Sequence, residues 1–268
     1  MTKTELVLIG GGNMGEAMLR GLLRAELLPA AAIIVAEPVR EKRLRLAGEM
    51  GVAAVEDIGQ AGPAKRFVLA VKPQQMDSLM PAVRQVLGES SLVISIAAGI
   101  STAYLAGALG PAARLIRAMP NTPMLVGRGC TGLALGPGAT EVDLAFAQRL
   151  FAAGGLVRVV DEAAMDAVTA VSGTGPAYFF YLIEAMVAAG VDEGLSADTA
   201  TALACQACAG AAALLAETGE PPAVLRARVT SPGGTTQAAV EVLETAGVRE
   251  ALIRAVRAAA ARSRQLGK

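Results

Sequence analysis

Apolar residues along the first 160 or so positions fall in short runs rich in β-branched and aliphatic side chains, at 5–9, 32–36, 67–71, 92–97, 114–117, 131–135 and 156–159. Each run has strand length and is separated from the next by amphipathic sequence, an alternation that predicts a parallel sheet with crossover helices. Between the first two runs, Glu16 to Ala25 places Met18, Leu19, Leu22 and Leu23 on one helical stripe. After about residue 161 the strand signals stop. The segments 176–190, 196–218, 222–229, 235–247 and 248–265 all read as helices, the last with Leu252, Val256 and Ala259 on one side and Arg249, Glu250, Arg254 and Arg257 around it. The pattern therefore predicts an α/β Rossmann-like N-terminal domain over residues 1–162 and an all-α domain over 163–268, joined by a short junction near Asp161 to Ala164. That many apolar helices in roughly 100 residues exceed what one small bundle can cover, so they are expected to bury against a second copy of the chain.

Composition narrows the class. With 53% hydrophobic and 18% charged residues and a mean hydropathy of +0.49, the 268-residue chain is too apolar to be disordered. Its most apolar stretches, 202–216 and 177–191, are interrupted by Gln206 and Glu184 and fall short of the roughly 18 to 20 residues of a membrane span. They are expected to be buried helices, with no membrane as partner. Lys plus Arg and Asp plus Glu each number 24, so no basic excess exists to track nucleic acid. The N-terminal sequence lacks the regions of a signal peptide, which predicts a cytoplasmic protein. Histidine is absent, which removes imidazole bases, His-dependent triads and His-ligated metals together, and no metal is expected. Cys205 and Cys208 form a CxxC with no second pair to complete a metal site, so they are expected as small core residues; Cys130 stands alone.

The strongest chemical signal is Leu6-Val-Leu-Ile-Gly-Gly-Gly-Asn-Met-Gly15, which places Gly10, Gly12 and Gly15 in GxGxxG spacing between an apolar strand and a helix. In that context the first glycine permits the tight turn, the second lets a pyrophosphate approach the backbone, and the third lets the helix pack on the sheet. Glu37 ends the second strand 22 positions after Gly15, where a carboxylate accepts hydrogen bonds from the adenosine ribose hydroxyls. This favours NADH slightly over NADPH. Arg40, Lys42 and Arg43 follow at once, however, and suit either a 2′-phosphate or a solvated helix start, so NADPH stays open.

Further segments carry candidate chemistry. Phe67 to Gln74 reads as a buried strand ending in Lys72 and Pro73, at the carboxyl edge where open α/β sheets bind ligands; Lys72 either reaches the cofactor or snorkels from a strand end. In Ala118-Met-Pro-Asn-Thr-Pro123 two prolines fix the backbone, so Asn121 is either aimed at the cofactor or part of a rigid turn. Val171 to Tyr178 opens a helix with Pro176 at its start. Val229-Thr-Ser-Pro-Gly-Gly-Thr-Thr-Gln-Ala-Ala239 opens another, where exposed N–H groups and the hydroxyls of Ser231, Thr235 and Thr236 suit a carboxylate, or serve only as ordinary caps.

The ordered set IGGGNMG at 9–15, AVKPQ at 70–74, MPNTP at 119–123, SGTGPAY at 172–178 and VTSPGGTTQAAVEVLE at 229–244 resembles the pyrroline-5-carboxylate reductase family over nearly the whole chain. The resemblance implies NAD(P)H-dependent reduction of the cyclic imine 1-pyrroline-5-carboxylate to L-proline, the last step of proline biosynthesis, by an intertwined dimer that often assembles into decamers. Position by position it implies cofactor contacts at Ile9, Gly10, Gly11, Gly12, Asn13 and Met14, next to the fingerprint's Gly15, and at Val71, Lys72, Pro73, Ala98 and Asn121, with Arg228 reaching the partner subunit's cofactor. It implies a substrate loop at Ser231, Gly233, Gly234, Thr235 and Thr236, with Glu162 as a further substrate-side contact. Thr236 becomes the candidate catalytic hydroxyl near the imine nitrogen, and the N–H groups of Gly233 to Thr235 the expected carboxylate grip. Glu37-Pro38 departs from relatives that carry an Arg nearby for the NADP phosphate, which weakens any strict NADPH preference.

Two alternatives compete. Dehydrogenases of 3-hydroxy acids also pair a Rossmann half with a helical half, but they generally use a lysine on the interdomain helix, and no lysine lies between Lys72 and Lys268. A non-catalytic NAD-binding module is a different class, separated by whether it consumes reduced cofactor.

Overall fold

Every expected strand forms, and the reason is visible in which side each residue faces. The computed structural model describes residues 4–267. In chain order the elements are β1 (Leu6–Ile9), α1 (Asn13–Arg24), β2 (Ile33–Ala36), α2 (Arg40–Met50), β3 (Ala53–Val55), β4 (Arg66–Leu69), α3 (Met76–Val86), β5 (Leu92–Ser95), α4 (Thr102–Leu109), β6 (Arg114–Met119), β7 (Gly129–Leu135), α5 (Glu141–Ala152), β8 (Gly155–Val159), α6 (Met165–Val168), α7 (Gly175–Asp192), α8 (Ala197–Thr218), α9 (Pro222–Arg228), α10 (Thr235–Thr245) and α11 (Val248–Leu266). Successive strand residues point to opposite faces. Leu6 and Leu8 of β1 join Val35, Val68, Ile94, Leu19 and Phe151 in one core layer, while Val7 and Ile9 join Phe67, Leu69, Val93, Met76 and Leu115 in the other. Because both faces are covered, the strands read as continuous apolar runs rather than alternating ones. Phe67 and Phe151 are fully buried, each contributing about 1.5–3 kcal/mol.

The sheet has eight strands in the order β3-β2-β1-β4-β5-β6-β7-β8. It departs from the expected all-parallel sheet at one place, since β6 and β7 pair antiparallel. Only a short 3-10 turn, Thr122–Val126, joins them, and a parallel return needs a crossover of a dozen or more residues. The longer link through α5 lets β8 run parallel to β7. The strand order reverses between β1 and β4, whose carboxyl ends open a crevice of the kind that binds dinucleotides.

By its contacts the chain falls into two compact units, one comprising the residues up to Thr174 together with those from Ala259 onward, the other Gly175–Ala258. Residues 163–174 thus belong with the sheet: Val168 lies against Gly132 of β7, and the Thr169 and Thr174 turn closes on itself. Within the second unit the helices expected from sequence are present, but little of their apolar surface is covered. Phe179, Phe180, Tyr181, Leu182, Met186, Leu203 and Leu214 are all exposed, and Ala200 and Ala204 are its buried apolar side chains among the described residues. Two expectations are corrected here. The helices of 177–191 and 202–216 extend past their apolar runs, so Glu162–Asp192 and Ala197–Thr218 are long and apolar enough to cross a membrane, and they are not buried within the chain. Cys205 is likewise exposed and Cys208 half-buried on α8 of the single chain, rather than core residues.

Candidate active site

The glycine turn between β1 and α1 is shaped by three distinct constraints. Gly10 has φ +102°, and a Cβ there would lie 2.5 Å from the Ala70 carbonyl oxygen, so the turns after β1 and β4 pass too closely for a side chain. A Cβ on Gly15 would lie 2.2 Å from the Gly10 carbonyl oxygen. Gly12 is different, since its backbone is ordinary (φ −74°, ψ 179°) and a Cβ would meet nothing within 4 Å. Nothing in the protein itself requires glycine there; the bare backbone leaves room for something outside it. Gly12 also caps α1 without a side-chain hydrogen bond, so the first N–H groups of the helix, from Asn13 onward, lack partners inside the helix and face that space. An anion such as a pyrophosphate fits this cradle.

Glu37 is buried at the end of β2, where its Oε2 accepts from the Gly11 N–H (2.8 Å) and its Oε1 from the Val39 N–H (3.0 Å). The carboxylate therefore holds the glycine turn in place, and each oxygen retains a second lone pair for a ribose hydroxyl. Arg43 folds back to donate to the carbonyls of Glu37 (2.8 Å) and Pro38 (2.7 Å) and pairs with Glu56 (3.1 Å), which removes it from the cations available to a 2′-phosphate. Arg40 and Lys42 remain exposed. A cavity of about 260 Å³ lies beside these residues, lined by Ile9, Gly10, Ala36, Pro38, Ile58 and Val71 among others. At the neighbouring carboxyl edge Val71 and Pro73 are half-buried and Lys72 is exposed, its N–H held by Gln75 Oε1 (3.2 Å). Ala98 sits half-buried in the turn after β5, which Gly99 completes with φ +76°.

Two residues expected to contact ligands have side chains already bonded within the protein. Asn121 donates from Nδ2 to the Ser172 carbonyl (2.9 Å) and accepts at Oδ1 from the Cys130 N–H (2.8 Å), so its amide braces the turn after β6. Glu162 accepts from the Thr102 N–H (2.7 Å) and hydroxyl and pairs with Arg117 (3.4 Å), which leaves its carboxylate engaged within the first unit. Arg117 and Thr102 escaped the sequence reading; the one signal was a charged residue at the middle of the apolar run Leu115 to Met119.

In the second unit the loop before α10 has its own internal order. Gly233 (φ +71°) donates its N–H to Gln237 Oε1 (2.7 Å), which in turn donates from Nε2 to Glu241 (2.8 Å), and the Gly234 N–H donates to the Ser231 carbonyl (3.0 Å). The N–H groups of Gly233 and Gly234 are thus already engaged, contrary to the expectation that they grip a carboxylate. The open donors begin at Thr235, the last of the three expected: Gly234 caps α10 without a side-chain hydrogen bond, so the N–H groups of Thr235 and Thr236 lack helical partners. Thr236 is half-buried and Thr235 and Ser231 are exposed at this opening. Arg228, at the end of α9, is exposed and paired with Glu220 (2.5 Å).

A glycine cradle at the switch point of a doubly wound sheet, followed by a helical unit with an uncovered apolar surface, defines a two-domain nucleotide-dependent oxidoreductase. Comparison with known proteins agrees at each level. Residues 162–266 match the family described as pyrroline-5-carboxylate reductase dimerisation, and residues 5–99 match one described as NADP oxidoreductase coenzyme F420-dependent. Pyrroline-5-carboxylate reductases of Pseudomonas aeruginosa and of a Synechocystis strain are 41% and 44% identical, the alignments covering 100% and 98% of this chain and 98% of each relative. Among solved structures, a pyrroline-5-carboxylate reductase from Coxiella burnetii superposes with a TM-score of 0.91 at 38% identity, and pyrroline carboxylate reductase from Plasmodium falciparum, with NADP bound, at 0.90 and 28%; both pairs are covered over 100% of each chain. The chain belongs to the pyrroline-5-carboxylate reductase family.

Proposed function

We propose that this protein reduces 1-pyrroline-5-carboxylate to L-proline with NAD(P)H, as a cytoplasmic homodimer associated through the helical domain. Beside the family match, the observation that supports the reading best is Gly12, whose open face the fold itself does not require. The turn from Ile9 to Gly15 would hold the pyrophosphate, Glu37 the adenosine ribose, and the Val71 to Pro73 and Ala98 turns the nicotinamide end. When bound, the reduced nicotinamide supplies the hydride. The protein's task is then positioning and electrostatics. Hydride addition to C5 of a protonated imine gives the amine directly and leaves no alkoxide needing a strong acid, which suits a protein without histidine.

For the substrate, the N–H groups of Thr235 and Thr236 at the positive end of α10 would hold the carboxylate, with Ser231, Gly233 and Gly234 shaping the loop around it. The Thr236 hydroxyl then donates, directly or through an oriented water, to the nitrogen lone pair that develops as hydride reaches C5, and Arg228 reaches the partner subunit's cofactor. The buried Glu37 and the folded-back Arg43 favour NADH over NADPH. Replacing Thr236 with Ala tests the assignment: kcat with pyrroline-5-carboxylate should fall by about 10²-fold, within the usual range for loss of proton-transfer assistance, while NAD(P)H affinity is unchanged. Undiminished kcat would remove Thr236 from the chemistry.

A further inference from the structure

We propose that Glu162 is a positioning residue for the cofactor: its carboxylate fills the N-terminus of α4 and faces Arg117, and so fixes the 96–101 turn that carries Ala98. The proposal rests on the reading of that turn as part of the nucleotide site.

The bonds converge from residues far apart in sequence. The Thr102 N–H, the first of α4, donates to Glu162 Oε1 (2.7 Å), and the Thr102 hydroxyl donates to Oε2. A carboxylate at a helix N-terminus satisfies an otherwise orphaned donor and is favoured by the helix dipole. From below, the Arg117 guanidinium of β6 lies 3.4 Å from the same Oε1. Arg117 is only 7% exposed and Thr102 only 3%, so this cation sits where leaving it unpaired is costly. Ser101 closes the rest of the first turn by accepting from the Tyr104 N–H (3.0 Å). The turn is therefore pinned at its far end by an acid 60 residues away in sequence.

The same stretch holds it from a second side. Asp166, four residues after Glu162, accepts from the Ser263 hydroxyl (2.6 Å). Ser263 belongs to the terminal segment whose Leu266 and Gly267 backbone atoms would lie 3.1 Å from a Cβ on Gly99, in the same turn. Residues 162–166 thus tie both the chain that enters α4 and the chain that covers Gly99. Removing the Glu162 side chain leaves a guanidinium and an open helix N-terminus facing one gap, with the size and charge to accept one small carboxylate.

That consequence separates a positioning role from a merely structural one. In E162A, the KM for NAD(P)H and the dissociation constant from NADH fluorescence titration should rise about tenfold, the scale of one lost charge-assisted hydrogen bond, while the KM for pyrroline-5-carboxylate changes less than about twofold. Sodium acetate, against sodium chloride at equal ionic strength, should recover at least half of the lost affinity in E162A, and none in wild type or in the double variant R117M/E162A. A rise confined to the imine's KM would return Glu162 to the substrate side, and a loss of cofactor affinity that acetate never repairs would reduce it to a fold contact; either result overturns the proposal. If circular dichroism shows E162A unfolded, T102V removes only the hydroxyl donor to Oε2. It should raise the NAD(P)H KM about three- to fivefold, and an unchanged value overturns the proposal equally. Wild-type protein that binds NADH but does not oxidise it with the imine would sink the proposed function, while the fluorescence titrations would still report on Glu162.

Discussion

Adding one methyl group at Gly12 and the same group at Gly15 should have opposite consequences. At Gly12 the backbone angles suit any residue and an added Cβ meets nothing within 4 Å, so G12A should leave stability within about 0.5 kcal/mol of wild type. The same methyl stands where the proposed pyrophosphate must approach the α1 N–H groups. Losing one hydrogen bond to a charged group costs about 2 kcal/mol, so the NADH dissociation constant should rise roughly 30-fold. At Gly15 the Cβ would stand 2.2 Å from the Gly10 carbonyl oxygen, part of a turn already held against Ala70. Overpacking of this kind costs up to about 3 kcal/mol, offset by about 1 kcal/mol of gained helix propensity. A net loss of about 2 kcal/mol in a domain of this size lowers Tm by about 4–8 °C. Thermal melts of the apo variants beside NADH titrations at a temperature where both are folded give the two readouts. If G12A bound NADH as wild type does, or lost as much stability as G15A, the division of labour among these glycines would be wrong.

Other consequences are as direct. Hydrogen bonds from Arg45 and then Arg20 hold the Glu16 carboxyl down at about 2 against its ordinary value of 4.5. A depressed carboxyl contributes stability above its unfolded value and loses it as pH falls from about 4.5 toward about 2, on the order of 1 kcal/mol once solvent screening is allowed for. Urea unfolding of wild type and E16Q should therefore differ at pH 7 and converge near pH 2; a difference that persisted there would refute the assignment. Phe180 is 58% exposed on α7 of the isolated chain, so F180D should shift the sedimentation coefficient from dimer toward monomer, and an unchanged assembly would mean that this face is not the one covered.

How much of this was legible in the sequence depended on range. Buried strands such as Leu6–Ile9 declare themselves because both sheet faces are covered, and the C-terminal helices because long Ala- and Leu-rich stretches are punctuated by Gly219 and Gly247, both left-handed in the structure. β3 was missed because it is three residues long, Ala-rich and only half-covered at the sheet edge. The antiparallel entry of β7 follows from a link too short for a crossover, a constraint that strand composition does not carry. The glycine spacing pointed to a nucleotide, yet the differing constraints on Gly10, Gly12 and Gly15 come from Ala70 and from the turn itself. Asn121 and Glu162 were hardest to read. Polar side chains near a candidate site look like ligand contacts until their partners are known, and Ser172 and Thr102 lie 51 and 60 residues away.

The central claim is tested most directly by following NADH and NADPH absorbance in purified protein with 1-pyrroline-5-carboxylate as the sole acceptor, and assaying L-proline in the same sample. The account predicts one L-proline formed for each reduced cofactor consumed, with the faster turnover on NADH. Cofactor that binds but is not consumed in the presence of the imine would contradict it.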